Sequence, residues 1–441
     1  MSAKLSGSTD WKVGIVETAI AIIGTGYVGL TTGACFASLG HTVVCVDIDE
    51  SKIERLQRGE IPIHEPGLEK VVQEGVQSGR LTFTTDLVEA VSHVGFAYLC
   101  VPTPQAADGS ADLSYLIQAA GDIAPFLPAE AVVVNKSTVP VGSTRIVEQA
   151  LGRPDLFVVS NPEFLREGSA VHDFLHPDRV VIGSDDQGAA IRVASLYIGV
   201  PAPFMVTDPA SAETIKYASN AFLAMKLSYV NAIAALCEAV GADADDVMLG
   251  MGYDTRIGDR FLRPGPGWGG SCFPKDTRAL RFLSAQAGYD FELLDEVIAI
   301  NEAQFDRVTA KVVAATGGSV SGTRVGVWGL TFKANTDDLR DSPAIEIVQR
   351  LVALGAEVRA YDPTVSAPLA QLPDVVVCDD PYAACEGAEV LVVLTEWDEF
   401  KWVDLDKVAE TMSVHQVVDA RNLLDRGALV RRGFDHQGIG R

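Results

Sequence analysis

The stretch "TAIAIIGTGYVGLTTGACFASLGHTVVCVD", residues 18–47, decides the fold class of this chain. It contains an apolar strand, a glycine-rich turn, a helix of small and apolar residues and a second strand, in that order. In a βαβ unit that binds a dinucleotide, the first glycine (Gly24) makes the turn and the second (Gly26) admits the pyrophosphate. The third (Gly29) lets helix and strand pack closely. The stretch therefore predicts an α/β fold built on a dinucleotide site.

Asp47 closes the second strand, 18 residues past Gly29. A carboxylate at this place accepts hydrogen bonds from the adenosine ribose hydroxyls, and its charge would repel a 2′-phosphate. The sequence therefore predicts NAD rather than NADP. The alternative is a strand–turn–helix unit that binds no ligand. The presence of the strand, the helix and the acid at their expected positions argues against it.

A second βα region near the C-terminus resembles the first. The segment "SLGHTVVCVD" (38–47) is matched by "ALGAEVRAYD" (353–362), with the acid in the same place. The second copy lacks the glycine triad and instead offers Lys333 and Arg340. We therefore expect it to hold a different phosphorylated ligand.

Between the two regions the pattern becomes helical. Residues 209–240 carry apolar positions at helical spacing with no breaker, which predicts one helix about 45 Å long, buried on several sides. We expect it to join two domains and to pack against a second subunit, with more helices near 274–287 and 291–315. The predicted architecture is α/β, with two Rossmann-like doubly wound domains joined by a long central helix and a helical middle domain. The predicted units are an N-terminal extension (1–17), an NAD-binding Rossmann domain (18–205), a central helical dimerisation domain (206–315) and a C-terminal Rossmann-like domain (316–441).

Composition and charge exclude several classes of function. The 441 residues are 48% hydrophobic and 21% charged, with a net charge of −24, which is typical of a soluble globular protein. So acidic a surface repels nucleic acid and anionic lipid, so we expect neither as a partner. No apolar run approaches the ~20 residues of a membrane span, and the first 14 residues lack the apolar core of a signal peptide. We expect a cytoplasmic protein.

The seven cysteines are odd in number and form no Cys-x-x-Cys pair. This argues against a disulfide framework and a structural zinc site, and no metal is expected. Packing does not explain Cys272, which lies in the glycine- and proline-rich loop "PGPGWGGSCFPKDTRAL" (264–280). The loop glycines, Gly267, Gly269 and Gly270, are expected to let cofactor and substrate approach the backbone.

A thiol on such a loop has a use in a dehydrogenase that takes an alcohol to an acid. Its thiolate attacks the intermediate aldehyde to give a thiohemiacetal, a second oxidation gives a thioester, and water hydrolyses the thioester. Lys216 and Asn220 are i, i+4 on the predicted central helix and point the same way. They are candidates to stabilise the oxyanion, and Lys216 is also a candidate base.

The water step needs further groups. Glu163 and Glu167 would share a face if their turn is helical, and one of them is a candidate general base, together with Thr138. Asp276 follows Cys272 by four residues and is expected to orient either the water or the lysine.

Motifs along nearly the whole chain resemble those of the nucleotide-sugar dehydrogenases, the UDP-glucose/GDP-mannose dehydrogenase family. In family order they are GTGYVG (24–29), STVPVG (137–142), NPEFLREG (161–168), TIKYASNAF (214–222), GGSCFPKD (269–276) and FKANTDDLRDSP (332–343). The resemblance implies oxidation of UDP-glucose to UDP-glucuronate with two NAD and one water, and a UDP-sugar in the C-terminal domain. It makes Cys272 the nucleophile, and it gives the oxyanion and water steps to Lys216, Asn220, Asp276, Thr138 and Glu167.

The resemblance also implies the ligand contacts. Those to NAD are Gly24, Gly26, Tyr27, Val28, Gly29, Asp47, Lys52, Thr103, Ser137, Thr138, Glu167, Lys275 and Arg340. Those to the sugar nucleotide are Glu163, Phe164, Leu165, Lys216, Asn220, Phe261, Gly269, Lys333 and Arg421, with Arg256 reaching across from a second subunit of a homodimer or higher homo-oligomer.

Three alternatives stay open. The same chemistry could act on GDP-mannose or a UDP-N-acetylhexosamine, because "RPGPG" (263–267) is similar to relatives that oxidise the latter. A two-electron β-hydroxyacid-type dehydrogenase would share the N-terminal fold but leave Cys272 and the third domain without a role. A nucleotide-sensing or scaffold protein would have no use for Cys272, Lys216, Asn220 and Asp276 together.

Overall fold

Two mostly parallel sheets, one in each half of the chain, form the fold. The structure is a computed structural model that describes residues 18–106 and 108–441. The predicted N-terminal extension, residues 1–17, lies outside the described residues.

The N-terminal sheet is flanked by helices on both faces. Its strands are β1 (Ala19–Ile23), β2 (Thr42–Val46), β3 (Leu81–Thr84), β4 (Phe96–Leu99), β5 (Val132–Asn135), β6 (Phe157–Ser160), β7 (Val180–Gly183) and β8 (Phe204–Thr207). The helices are α1 (Tyr27–Ser38), α2 (Glu50–Gln57), α3 (Leu68–Gln77), α4 (Leu87–Val91), α5 (Ser114–Ile123), α6 (Ser143–Leu151), α7 (Ala170–Leu175) and α8 (Gln187–Ser195). The strand order is β3-β2-β1-β4-β5-β6-β7-β8. Strands β1 to β6 are parallel, and β7 pairs antiparallel with β6.

Alternation along the strands fills two separate cores. In β1, Ile20 and Ile22 face one core while Ala21 and Ile23 face the other. All four are buried because a parallel sheet is covered on both faces. Strand β8 crosses the predicted domain boundary at residue 205, so this sheet runs two residues further than the boundary drawn from the sequence.

The middle of the chain is helical, with α9 (Pro209–Val240), α10 (Ala244–Gly252), α11 (Phe273–Gln286) and α12 (Glu292–Ala315). Asp208 caps α9 by accepting a hydrogen bond from Ser211 N at 2.8 Å, and Gly241 ends it in the left-handed conformation. Helix α9 packs against β6 and β7 and against α10, α11 and α12. It therefore ties the first sheet to the middle helices.

Helix α9 also has the length and apolar composition to cross a membrane, the property that the sequence had been expected to lack. Among the described residues, α9 is the one helix with this property. A third of its most apolar 18-residue segment is buried inside the protein. The helix also buries Glu213, Lys216, Asn220 and Asn231. A polar buried face of this kind is typical of a helix that packs within a protein.

The C-terminal sheet repeats the topology of the first. Its strands are β9 (Arg324–Trp328), β10 (Glu357–Tyr361), β11 (Val376–Val377), β12 (Val390–Val393), β13 (Gln416–Asp419) and β14 (Asp435–Gly438). Around it lie α13 (Pro343–Ala353), α14 (Pro381–Cys385), a 3₁₀ helix (Asp398–Trp402), α15 (Leu405–Thr411) and α16 (Arg426–Arg431). Its order β11-β10-β9-β12-β13-β14 is the 3-2-1-4-5-6 order of β1 to β6, which is the doubly wound dinucleotide fold. The predicted fold class, with two Rossmann-like domains around a helical middle, is confirmed.

Candidate active site

A cleft of about 1780 Å³ lies between the carboxyl ends of the first sheet, the loop before α11 and the loop after β9. The predicted site residues that line it are Gly24, Gly26, Tyr27, Val28, Asp47, Lys52, Thr103, Ser137, Thr138, Glu163, Phe164, Leu165, Glu167, Lys216, Asn220, Phe261, Gly269, Cys272, Lys275, Lys333, Arg340 and Arg421. Gly29, Asp276 and Arg256 do not line it. Residues distant in sequence thus meet in one cleft.

The glycine turn leaves room for a ligand where a dinucleotide phosphate would sit. Gly24 has φ +97°, and a Cβ there would lie 2.7 Å from the carbonyl oxygen of Cys100. A Cβ on Gly29 would lie 1.9 Å from the carbonyl oxygen of Gly24, whereas one on Gly26 would meet no atom within 4 Å. Helix α1 has no side-chain cap and no acid in its first turn. Its free N–H groups fit a pyrophosphate.

Asp47 is held at the edge of this space by the glycine turn itself. Its Oδ2 accepts hydrogen bonds from Thr25 N at 2.8 Å and Thr25 Oγ1 at 2.7 Å, and Lys52 Nζ lies 3.2 Å away. Burial acts to raise the pKa of Asp47, but these hydrogen bonds and Lys52 outweigh it and lower the pKa. A fixed, charged carboxylate thus lies beside the glycine turn, and its contact with a ribose stays a prediction.

The loops after β4 and β5 are fastened to each other. Thr103 Oγ1 donates to the carbonyl of Thr138 at 2.9 Å, and Ser137 Oγ donates to the carbonyl of Val101 at 2.7 Å. These hydroxyl groups therefore hold the two loops together at the cofactor end of the cleft.

In the C-terminal sheet, the position equivalent to the glycine turn and Asp47 is filled by protein groups. Gly329 follows β9 with φ +92°, as Gly24 follows β1. Asp362, which ends β10 as Asp47 ends β2, is 1% exposed. Its Oδ2 accepts from Leu330 N, Thr331 N and Oγ1, and Trp397 Nε1 at 2.8 to 3.1 Å. Asp362 is thus buried by protein and does not line the cleft, whereas Asp47 lines it, so Asp362 is not placed to accept from a ribose.

Cys272 lies at the N-cap position of α11 and is partly exposed, whereas the six other cysteines are buried. Its Sγ lies 3.6 Å from Ser271 Oγ. Burial of the sulfur raises the pKa of the Cys272 thiol, and the nearby Lys216 charge offsets only part of the rise. The resting sulfur is therefore a neutral thiol that must lose its proton to attack.

The glycines of this loop meet protein. A Cβ on Gly267 would lie 2.5 Å from Phe305, and one on Gly270 would lie 2.7 Å from the Phe332 ring. A Cβ on Gly269 would lie 1.9 Å from the carbonyl oxygen of Asp341. The space that their Cβ atoms would take is filled by α12 and the loop after β9, so these glycines are required by packing. Gly267 and Gly269 also line the cleft, and the approach of ligands to their backbone stays a prediction.

Lys216 and Glu163 form a buried ion pair. Lys216 Nζ donates to Glu163 Oε1 at 2.8 Å and to the Glu163 carbonyl at 2.6 Å, and the two side chains are 4% and 6% exposed. Burial acts against both charges, but the mutual attraction outweighs it, raising the pKa of Lys216 and lowering that of Glu163. This pairing keeps Lys216 an ammonium, which favours its predicted role as an oxyanion donor over that of a base.

Asn220 is oriented by a hydrogen bond to Asp276. Asn220 Nδ2 donates to Asp276 Oδ2 at 2.6 Å, and Lys275 Nζ lies 2.6 Å from Asp276 Oδ1. Asp276 is 0% exposed. Asp276 therefore holds the Asn220 amide and Lys275, and its charge also acts on Lys216. Its role in orienting a water stays a prediction.

Glu163 and Glu167 do not share a helical face, because residues 161–166 form an irregular loop. Glu167 Oε1 accepts from Ser271 Oγ at 2.8 Å, and Arg340 lies 3.4 Å away. Burial, and next the charge of Asp338, raise the pKa of Glu167 to about 7. A carboxyl group with this pKa can exchange a proton near neutral pH.

Two cations and an aromatic ring from other segments line the far end of the cleft. Burial lowers the pKa of Lys333. Arg421 donates from Nε to the Leu394 carbonyl at 2.8 Å, and Phe261 has φ +61°. Arg256 is exposed on the surface, where it pairs with Asp254 at 2.6 Å.

Lys136 was missed by sequence reasoning. It is 4% exposed, and its Nζ lies 3.2 Å from Asn161 Oδ1 and 3.2 Å from Tyr197 OH. Burial lowers the pKa of Lys136 to about 8. A lysine directly after the apolar run of β5 was the available signal.

Glu65 was also missed. Its buried carboxylate accepts from Gly168 N at 2.6 Å, Ala170 N at 2.7 Å and the hydroxyl of Tyr27. It thereby joins the glycine turn to the loop that carries Glu167. These partners lie 38 to 105 residues away, so no local pattern pointed to it.

Three models of one family match the chain. They are the NAD binding domain (residues 18–200), the central domain (210–303) and the UDP binding domain (326–426) of the UDP-glucose/GDP-mannose dehydrogenase family. This chain belongs to the UDP-glucose/GDP-mannose dehydrogenase family. Its N-terminal half is the NAD-binding domain of that family, and NAD is its cofactor.

Relatives in the family match over nearly their whole length. UDP-glucose 6-dehydrogenase of Rhizobium meliloti is 47% identical, and the match covers 96% of this chain and 99% of the relative. UDP-glucose 6-dehydrogenase TuaD of Bacillus subtilis is also 47% identical, with coverages of 96% and 93%. The solved UDP-glucose dehydrogenase of the archaeon Pyrobaculum islandicum has a TM-score of 0.89 at 37% identity, with coverages of 97% and 99%.

Proposed function

We propose that this protein oxidises the C6 hydroxymethyl group of UDP-glucose to the carboxylate of UDP-glucuronate, with two NAD reduced per turnover. The observation that carries the proposal is the placement of Cys272 beside the Lys216–Glu163 pair and the Asn220–Asp276 pair. The same cleft contains the glycine turn and Asp47. A nucleophile, oxyanion donors and a cofactor site in one cleft are what a two-stage oxidation requires.

The relatives favour UDP-glucose among nucleotide sugars. Those named as UDP-glucose dehydrogenases above share 37% to 47% identity with this chain, whereas a solved UDP-D-ManNAc dehydrogenase of Pyrococcus horikoshii shares 29%. Lys333 and Arg421 line the cleft on the side of the UDP binding domain. We assign the diphosphate to them because both are cations there.

The cysteine carries the second stage. NAD, when bound against the glycine turn and Asp47, accepts a hydride in each of the two oxidations. The C6 hydroxyl proton of the first oxidation leaves to solvent. The Cys272 thiol proton then passes to the aldehyde oxygen as the sulfur bonds to C6, giving a thiohemiacetal, and this hydroxyl proton leaves to solvent when the second hydride is removed. The Lys216 ammonium and the Asn220 amide stabilise the oxygen of that adduct, and oxidation of the adduct leaves a thioester.

Hydrolysis returns the free enzyme. A water adds to the thioester carbon while Glu167 accepts one of its protons, and the carbon–sulfur bond breaks to release the carboxylate. The thiol is then reprotonated. We assign this base to Glu167 because its pKa of about 7 suits proton transfer, whereas Glu163 is committed to Lys216 and has a lowered pKa. Thr138 is proposed to position the water.

Stoichiometry tests the proposal. UDP-glucose, GDP-mannose and UDP-N-acetylhexosamines are offered in turn, and NADH is read by absorbance. We expect two NADH per UDP-glucose consumed and little turnover of the others. Cys272→Ser should stop after at most one NADH. A wild-type ratio of one NADH would instead support the two-electron dehydrogenase.

The second copy of the chain is proposed to dock on α9. Phe222, Tyr229 and Leu236 recur every seven residues along one face of this helix, and each is more than half exposed, as is Val240. Phe222 also borders the cleft. An apolar stripe on the central helix is self-complementary about a twofold axis, which favours a homodimer.

Arg256 then acts across that interface. It does not line the cleft of its own chain and is 87% exposed. A partner bound along α9 would bring its own Arg256 toward the end of the cleft that Phe222 borders. We propose the cytoplasm as the location, since all seven cysteines are unpaired among the described residues.

A further inference from the structure

Glu167 lies where three segments of the chain meet. The segments are its own loop after β6, the loop that carries Cys272 and the loop after β9. Ser271 Oγ donates to Glu167 Oε1 at 2.8 Å, and Thr336 Oγ1 donates to Oε2 at 3.3 Å. Arg340 NH2 lies 3.4 Å from Oε1. Two of the three partners therefore come from the C-terminal half.

Asp338 fixes both of these partners. Arg340 donates from Nε to Asp338 Oδ1 at 2.8 Å and from NH2 to Oδ2 at 2.7 Å. Asp338 N donates to Thr336 Oγ1 at 3.1 Å. The Asp338 side chain is 9% exposed, whereas that of Arg340 is 67% exposed. Asp338 does not line the cleft; its carboxyl group interacts with Glu167 directly, as well as holding Arg340 and Thr336.

We propose that Asp338 is a positioning residue for Glu167, supplied by the C-terminal half, which completes the acid–base site when the loop after β9 docks against the Cys272 loop. The proposal rests on the role of Glu167 in the proposed function. The docking itself has a steric basis, because Gly269 permits Asp341 to approach.

The charges around Glu167 determine in which direction its pKa should change when Asp338 is replaced. The negative charge of Asp338 raises the pKa of Glu167, and the positive charge of Arg340 lowers it. Lys333 and Tyr27 also interact electrostatically with Glu167. Asp338→Asn removes the negative charge beside Glu167 and the carboxyl–carboxyl hydrogen bond. Both of these raise the pKa of Glu167 in the wild type, so their loss lowers it.

The test is the pH dependence of kcat between about pH 5 and pH 9, with both substrates saturating. In the wild type, the acid limb should have its midpoint near the Glu167 pKa of about 7, and Glu167→Gln should abolish that limb. Asp338→Asn should move the midpoint down by about one pH unit, because it removes a like charge. Asp338→Glu should restore it.

Two further variants separate positioning from a structural effect. Asp337→Asn makes the same charge change at an exposed neighbour and should leave the midpoint in place. Thr336→Val removes a donor to the charged form and should move the midpoint up, which supplies a second reading if Asp338→Asn does not fold.

An unshifted midpoint in Asp338→Asn, with the limb lost in Glu167→Gln, would overturn the role of Asp338 alone. A limb that survives Glu167→Gln would overturn the role of Glu167 in the proposed function and this proposal with it. A wild type that makes no UDP-glucuronate would overturn the function itself.

Discussion

At the scale of single residues, the site depends on buried charges that are paired. Lys216 and Glu163 are both almost fully buried and share a 2.8 Å contact. A buried ion whose partner is removed loses far more than the pair contributes over an apolar replacement. Each of the two side chains can therefore be buried in its charged form only when the other is present.

Lys216→Met should destabilise the protein by about 3 kcal/mol, because it leaves the Glu163 carboxylate buried without its cation. Thermal and denaturant unfolding would measure the loss. The double variant Lys216→Met/Glu163→Gln should be more stable than Lys216→Met alone. Lys70→Met, which removes an exposed lysine 3.9 Å from Glu74, is the control and should change nothing measurable. Equal stability of the single and double variants would contradict the pairing argument.

Asp47→Asn should reduce the preference for NAD over NADP by roughly tenfold or more, because it removes the charge that would repel a 2′-phosphate. Asparagine keeps an acceptor for Thr25, so the glycine turn should survive. The ratio of kcat/KM for the two cofactors measures the effect. Asp49→Asn, on the same loop, keeps the cap of α2 and should leave the ratio unchanged. If Asp47→Asn also leaves it unchanged, Asp47 does not face the ribose.

At the scale of elements, the loop before α11 joins the two halves. Its glycines are required by neighbouring backbone and rings, and they place Cys272 at the start of α11. The loop after β9 then supplies Thr336 and Arg340 to Glu167. The catalytic loop is thus shaped by its contacts with the C-terminal half.

Gly269→Ala should lower kcat by at least about tenfold, because its Cβ would lie 1.9 Å from the Asp341 carbonyl oxygen and displace the Cys272 loop. NAD affinity should change less than kcat, because most of the predicted NAD contacts, including the glycine turn and Asp47, lie on the first sheet. Steady-state kinetics and calorimetric titration with NAD would separate the two. Gly121→Ala is the control, since its nearest neighbour, the Ala150 carbonyl oxygen, is 4.0 Å away. Unchanged kcat in Gly269→Ala would refute the contact.

At the scale of the whole molecule, the proposed dimer makes the position of Arg256 testable by combining two mutations. A heterodimer of one Arg256→Ala chain and one Cys272→Ser chain should have about half the wild-type activity. Its one intact cysteine receives Arg256 from the other chain. Differently tagged chains, purified in tandem, would provide the sample.

The same two mutations on one chain, paired with a wild-type chain, should give almost no activity. The one intact cysteine then faces the partner's missing arginine. If Arg256 serves its own subunit, the two heterodimers would exchange their activities. That outcome would refute the proposed role of the interface.

Much of the fold could be predicted from sequence because its signals are local. The β1–α1–β2 unit, the bounds of α9 and the repeat at Asp362 follow from periodicity, glycine positions and caps within about 30 residues. The partners of Lys216, Asp276 and the loop glycines could not be predicted, because each partner comes from another segment. Glu163 is 53 residues from Lys216, and Asn220 is 56 from Asp276.

By itself, the sequence determined the doubly wound α/β fold, the dinucleotide turn, the central helix and the presence of one thiol outside any core. Tertiary structure alone decided the protonation of that thiol, of Lys216 and of Glu167. The physical reason is that chain connectivity and side-chain pattern act over a few residues, whereas a proton's affinity depends on burial and on charges brought close by the fold.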